Sequence, residues 1–185
     1  MSPAASIVFT NPSPDRHRGA THQAATPATL DRMIEQQENR FVSERLRANL
    51  ASAIRVLDAA ERALVTRDVG VANVVLGFDG DARAAIGPVT GTVRGDTAVE
   101  GIVDLAMRVA DLARVAWRPD RMHPADDELE GLRGELDAVR RHAATVIASG
   151  FEELSMLTRL VVRADAHAAA MTRTCDLRRL ACHAF

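Results

Sequence analysis

Residues 96–117 read D-T-A-V-E-G-I-V-D-L-A-M-R-V-A-D-L-A-R-V-A-W, from Asp96 to Trp117. Val99, Ile102, Val103, Leu105, Ala106, Val109, Leu112, Ala113 and Ala116 recur at spacings of three and four, which winds them into one broad apolar stripe on an α-helix. No Pro interrupts the run, and Asp96 stands where a side-chain oxygen can cap the first turn. A stripe this wide needs apolar partners on more than one side, so the stretch predicts the best-buried helix of an all-α bundle.

The flanking segments supply those partners. Upstream, Leu30, Met33, Ile34, Phe41, Val42, Leu46, Leu50, Ile54, Leu57 and Leu64 step mostly by three, four or seven. They predict one long amphipathic helix, capped near Thr29 and ending near Arg67. Asp68 is placed to cap a second helix carrying Val71, Val74, Val75 and Phe78, which the Gly87-Pro88 pair should end. Downstream, Pro119 and Pro124 bracket a loop. Asp126, Asp127 and Glu128 then suit the positive end of a fourth helix reaching Gly150. A fifth runs from Phe151 to about Leu180, with Leu154, Leu157, Leu160, Val161, Ala164, Ala168 and Met171 inward. No segment sustains the period-two alternation of a strand. The expected fold is an antiparallel bundle of about five helices over residues 29–185. Residues 1–28, with four of the seven prolines and no sustained period, read as a disordered tail.

Composition agrees and narrows the partners. In 185 residues, 47% apolar content is enough for one real core, and small side chains dominate it. The net charge of −2 lacks the basic footprint of a nucleic-acid or anionic-membrane binder. No apolar run approaches the length of a membrane span, and the N-terminus lacks a secretory pattern, so the reading is cytoplasmic. Cys175 and Cys182 sit two helical turns apart, about 10 Å along the axis, too far for an unstrained disulfide, and read as thiols in a reducing compartment.

The chemistry-bearing pattern lies inside the quoted stretch. Glu100 and Asp104 stand one turn apart on one face, and Asp111 returns to nearly the same angle. Like charges at this spacing repel by a few tenths of a kcal/mol unless something positive intervenes. One reading is a hard-metal site with Glu100 and Asp104 as oxygen ligands. The other is a solvated acidic face on which Arg108 forms an ordinary exposed pair with Asp104. Of the histidines, His17, His22, His123 and His183 read as solvated residues, while His142 and His167 are helical and open to a core or ligand role. No metalloprotease, phosphate-loop, nucleophile-elbow or paired C-x-x-C motif is present, so no enzyme class is indicated.

Two stretches resemble the PhoU family of phosphate-uptake regulators. Ala59 to Val75, A-A-E-R-A-L-V-T-R-D-V-G-V-A-N-V-V, is similar to the junction of the first two helices of PhoU domains. Glu100 to Ala110, E-G-I-V-D-L-A-M-R-V-A, looks like the family signature E-R-I-G-D-L-A-x-x-I-A. A second copy is hinted at by Leu157, Arg159, Arg163, His167 and Ala168, but Val162 and Ala166 replace its two acids, and Asp165 falls one position away. The resemblance implies a metal site at Glu100 and Asp104 holding a divalent or ferric ion. It also implies a cytoplasmic homodimer that binds the phosphate transporter ATPase and a sensor histidine kinase and damps starvation signalling. The alternative is a non-catalytic interaction bundle with no metal or phosphate role.

Overall fold

A computed structural model describes residues 27–77, 93–117, 123–149 and 153–182. These form five helices: α1 (Pro27–Thr66), α2 (Val69–Gly77), α3 (Val93–Ala116), α4 (Asp126–Ser149) and α5 (Leu154–Cys182). Among the described residues there is no strand, as the absence of period-two patterning requires. The expected tail falls almost wholly on residues outside those described, except that Pro27 and Ala28 already belong to α1. Proline is suited to a helix's first turn, where its missing N–H has no intrahelical partner to lose.

The quoted stretch is the centre of the molecule. α3 packs on α1, α2 and α5, and its stripe from Val99 to Ala116 is buried throughout. Ala98, Ala110 and Val115 are buried as well, so α3 is covered on all but the face that carries Thr97, Glu100, Asp104 and Arg108. Small residues make that possible. A Cβ on Gly101 would stand 3.2 Å from Cγ1 of Val161, so the missing side chain lets α3 and α5 approach closely. α4 closes the bundle against α5 and, over a smaller area, α1.

Two helix starts depart from the sequence expectation. Asp96 is not an N-cap: α3 starts at Val93, which places Asp96 within the first turn. The apolar stripe begins only at Ala98, so nothing in the hydrophobic period marked the earlier start. α5 starts at Leu154 rather than Phe151, and the carbonyl of Glu153 receives the amides of Met156 and Leu157. The expected end of α2 at Gly87 lies outside the described residues. By contrast, Asp68 caps α2 as its position predicts: the Val71 amide donates to its Oδ1 at 3.0 Å.

The join between α1 and α2 is unusually well defined. Arg67 has φ 59°, the left-handed conformation that normally selects glycine after a helix C-terminus. The Asp68 amide reaches back to the Ala63 carbonyl at 2.9 Å, closing a Schellman turn. The backbone strain at Arg67 is offset by its guanidinium, which lies 4.6 Å from the centroid of Trp117.

α1 corrects the expectation of one continuous inward stripe. Leu46, Leu50, Leu57 and Leu64 are buried, but Met33 and Ile34 are 57% and 54% exposed. The helical period persists through the N-terminal half, whereas Leu46 is the first buried side chain among those described.

Candidate functional site

The acidic ridge of α3 borders a groove of about 650 Å³ between α2, α3 and α5. Its apolar lining is Leu76, Met107, Val161 and Val162, and its polar lining is Asp104, Arg108, Asp111 and Asp165. The elements fix these positions directly. Asp104, Arg108 and Asp111 share one face of α3 by their spacing, and the small contact at Gly101 brings α5 close enough for Asp165 to meet them.

Across that groove Arg108 Nε donates to Asp165 Oδ1 at 2.5 Å. Arg108 therefore spans α3 and α5, rather than serving only the neighbouring turn of its own helix. Asp165, one position away in the resemblance to a second repeat, is the residue that meets it. Asp111 is engaged locally, accepting from Arg114 Nη2 at 2.5 Å. Val162, at the position where the repeat would carry an acid, is 62% exposed at the groove.

Glu100 and Asp104 are both exposed on α3. Asp104 belongs to the groove lining, whereas Glu100 lies one turn further toward the N-terminus. Asp96 continues the ridge by another turn, and sequence spacing of four would have revealed it had it not been assigned as a cap. Its Oδ1 is buried and has no hydrogen-bond partner among the described residues. Burial first, and the neighbouring Glu100 carboxylate second, hold the Asp96 carboxyl above its ordinary range. Among the described residues, no group of three or more His, Cys, Asp or Glu side chains is disposed to hold a metal ion. A cation held by Glu100 and Asp104 would find no third His, Cys, Asp or Glu side chain grouped with them among the described residues.

The histidines serve the other side of the bundle. His167 Nδ1 lies 3.2 Å from Glu135 Oε2, and Arg163 Nε donates to Glu135 Oε1 at 3.0 Å, so both clamp α5 to α4. His142 Nε2 lies 3.2 Å from the Glu153 carboxylate and from its carbonyl oxygen. His123, expected to be simply solvated, is exposed but rests on Trp117 with ring centroids 5.0 Å apart. Cys175 is a buried thiol of the core, and the Cys182 side chain lies outside those described.

A second, smaller pocket of about 260 Å³ lies at the far end of α1, lined among others by Leu64, Arg67, Trp117 and Arg133. Beside it, Arg140 of α4 meets Asp58 at 2.6 Å, Asp137 at 2.5 Å, and Glu61. This network ties α4 to α1 through a covered Arg140–Glu61 pair with Asp58 and Asp137 more open beside it, and it is structural in geometry. Among the described residues no helix is long and apolar enough to cross a membrane. Comparison of the chain with protein-family models, with curated proteins and with solved structures finds no match.

Proposed function

We propose that the protein is a PhoU-like regulator that acts by binding a protein partner across the α2–α3–α5 groove. The observation that carries this reading is the groove itself: an apolar floor with an acidic α3 rim, open to a segment of another protein. Exposed Val162 supplies apolar area that the bundle does not use. Asp104 supplies charge for orientation, and in this reading Glu100 and Asp104 also hold a hydrated divalent or ferric ion at the rim. Such an ion would add positive charge beside the groove and so regulate which partner surface docks. By resemblance, the partners are the phosphate transporter ATPase and a sensor histidine kinase.

Two measurements test the reading. The purified chain should carry about one metal ion that Glu100→Ala with Asp104→Ala removes, read by elemental mass spectrometry. Unchanged metal content in the double variant would refute the ligand assignment. Capture of transporter ATPase or sensor kinase from phosphate-starved or phosphate-replete cells, lost on Val162→Asp, would support the groove. Recovery of neither partner under both conditions counts against the regulatory role.

A second reading, an interaction bundle with no metal or phosphate role, is favoured by the engagement of Arg108, Asp165, Asp111 and Arg114 with one another. It predicts metal-free protein and partner capture that is indifferent to phosphate supply.

A further inference from the structure

Among the described residues, Arg67 is the one non-glycine residue with a positive φ. Glycine takes that conformation without strain, and stacking on Trp117 only returns what the strain costs, so stability alone does not call for arginine there. Strained residues of this kind gather where a side chain is needed for binding. The guanidinium lies over the Trp117 ring, 4.6 Å from its centroid, and makes no ion pair among the described residues. A guanidinium lying over a ring still has N–H donors to give at its edge, and the stacking holds that edge in place.

The cavity of about 260 Å³ beside it has the make-up of a small-ligand site. Leu64, Val65, Trp117 and Leu129 supply an apolar lining, and Val65 is 48% exposed there. The other charged groups of the lining are matched. Arg133 Nη1 donates to Glu130 Oε2 at 3.3 Å, and Asp126 opens α4, where the helix's own N–H groups offset its charge. The helix ends that would repel an anion are answered too. The Asp68 amide donates to the Ala63 carbonyl at 2.9 Å, Trp117 Nε1 donates to that of Leu64 at 2.7 Å, and His123 Nδ1 lies 2.8 Å from that of Ala116. Arg67 is left as the cation of the lining without a counter-charge among the described residues.

We propose that this cavity, between the α1–α2 turn and the start of α4, is a binding site for a small organic carboxylate with an apolar body. The edge of the Arg67 guanidinium donates to both carboxylate oxygens, while the body lies against Leu64, Val65 and Leu129 beside the indole. The site shares no lining residue with the α2–α3–α5 groove, so it stands or falls independently of the regulatory reading.

Trp117 is the chain's one tryptophan, so its fluorescence reports on the cavity directly. Phenylacetate, phenylpropionate and hexanoate serve as probes, each beside its uncharged amide at the same ionic strength. At least one acid should change the emission saturably and raise the thermal midpoint, and its amide should bind roughly tenfold more weakly. Arg67→Gly suits the backbone conformation and should bind acid and amide alike. Val65→Glu and Val65→Lys set opposite charges at an exposed position of the lining. The first should weaken binding of the acid roughly tenfold, and the second should preserve or tighten it. Thermal unfolding near the wild-type midpoint without probe shows that each variant is folded. No saturable change with any of the acids overturns the proposal, as does equal binding of acid and amide by the wild type. An Arg67→Gly variant that still prefers the acid overturns it as well, and so do equal effects of the two Val65 substitutions.

Discussion

The indole Nε1 of Trp117 donates to the carbonyl oxygen of Leu64 at 2.7 Å, tying the end of α3 to the last turn of α1. A helix leaves its final carbonyls without intrahelical donors, and this bond answers one of them with a side chain 53 positions away. Trp117→Phe keeps a ring under Arg67 but removes the donor. The expected cost is about 1–2 kcal/mol, measured by urea unfolding. A stability equal to wild type would show that the bond contributes nothing.

Arg67 occupies a backbone conformation that costs a residue with a Cβ about 1 kcal/mol relative to glycine. Its stacking on Trp117 returns a similar amount. Arg67→Ala keeps the strain and loses the stacking, so it should destabilise by roughly 0.5–1 kcal/mol. Arg67→Gly loses both and should lie within a few tenths of a kcal/mol of wild type. An alanine variant as stable as the glycine variant contradicts this balance.

Asp96 makes stability depend on pH with a definite sign. Its carboxyl is held above the ordinary 3.8, so the folded chain binds that proton more tightly than the unfolded chain does. Stability therefore falls as pH rises from about the ordinary value through the raised folded one, and the loss persists above it. Asp96→Asn removes the charged form that burial penalises. The variant should be more stable than wild type at neutral pH, with the difference shrinking as pH falls toward 3.8 and below. Chemical-denaturation midpoints that run parallel for the two proteins across this range would exclude the effect.

Arg140 and Arg40 offer a contrast between covered and open ion pairs. Arg140 is 22% exposed among Asp58, Glu61 and Asp137, whereas Arg40 is 81% exposed beside Glu44. Arg140→Met takes from Glu61, 14% exposed, its nearest cation and leaves only the longer pair with Arg133, and should cost about 1–2 kcal/mol. Arg40→Met should change monomer stability by less than about 0.5 kcal/mol. Similar thermal midpoints for the two variants would place the Arg140 network in the same class as an ordinary surface pair.

Helix identity was legible wherever an apolar stripe met a partner. The α3 residues from Val99 to Ala116 were read from spacing alone because burial on several sides forces a strong period. Period says only that a face is apolar, not that something covers it, and that is why Met33 and Ile34 belong to the apolar series of α1 and are nonetheless exposed. Asp96 was mistaken for a cap because the three residues before it carry no hydrophobic period, although the helix already runs through them.

The candidate site divides in the same way. Glu100, Asp104 and Asp111 could be placed together because one helix fixes their angles. Asp165 could not, because its meeting with Arg108 depends on how far α5 slides along α3. A similar dependence hid the clamp on Glu135. Arg163 and His167 are one turn apart on α5 and advertise a shared face, but the carboxylate they meet belongs to α4.

The central place of α3 bears on the order in which the chain is made. The interface between α1 and α3, the most extensive in the bundle, joins segments that are complete by Ala116, and the bond from Trp117 to Leu64 seals it. During synthesis from the N-terminus, these surfaces can meet before α5 has been made and released to pack. Until α5 arrives, the flank of α3 around Gly101 is bare, and that interval is when the nascent protein is most open to chaperones and to misassembly.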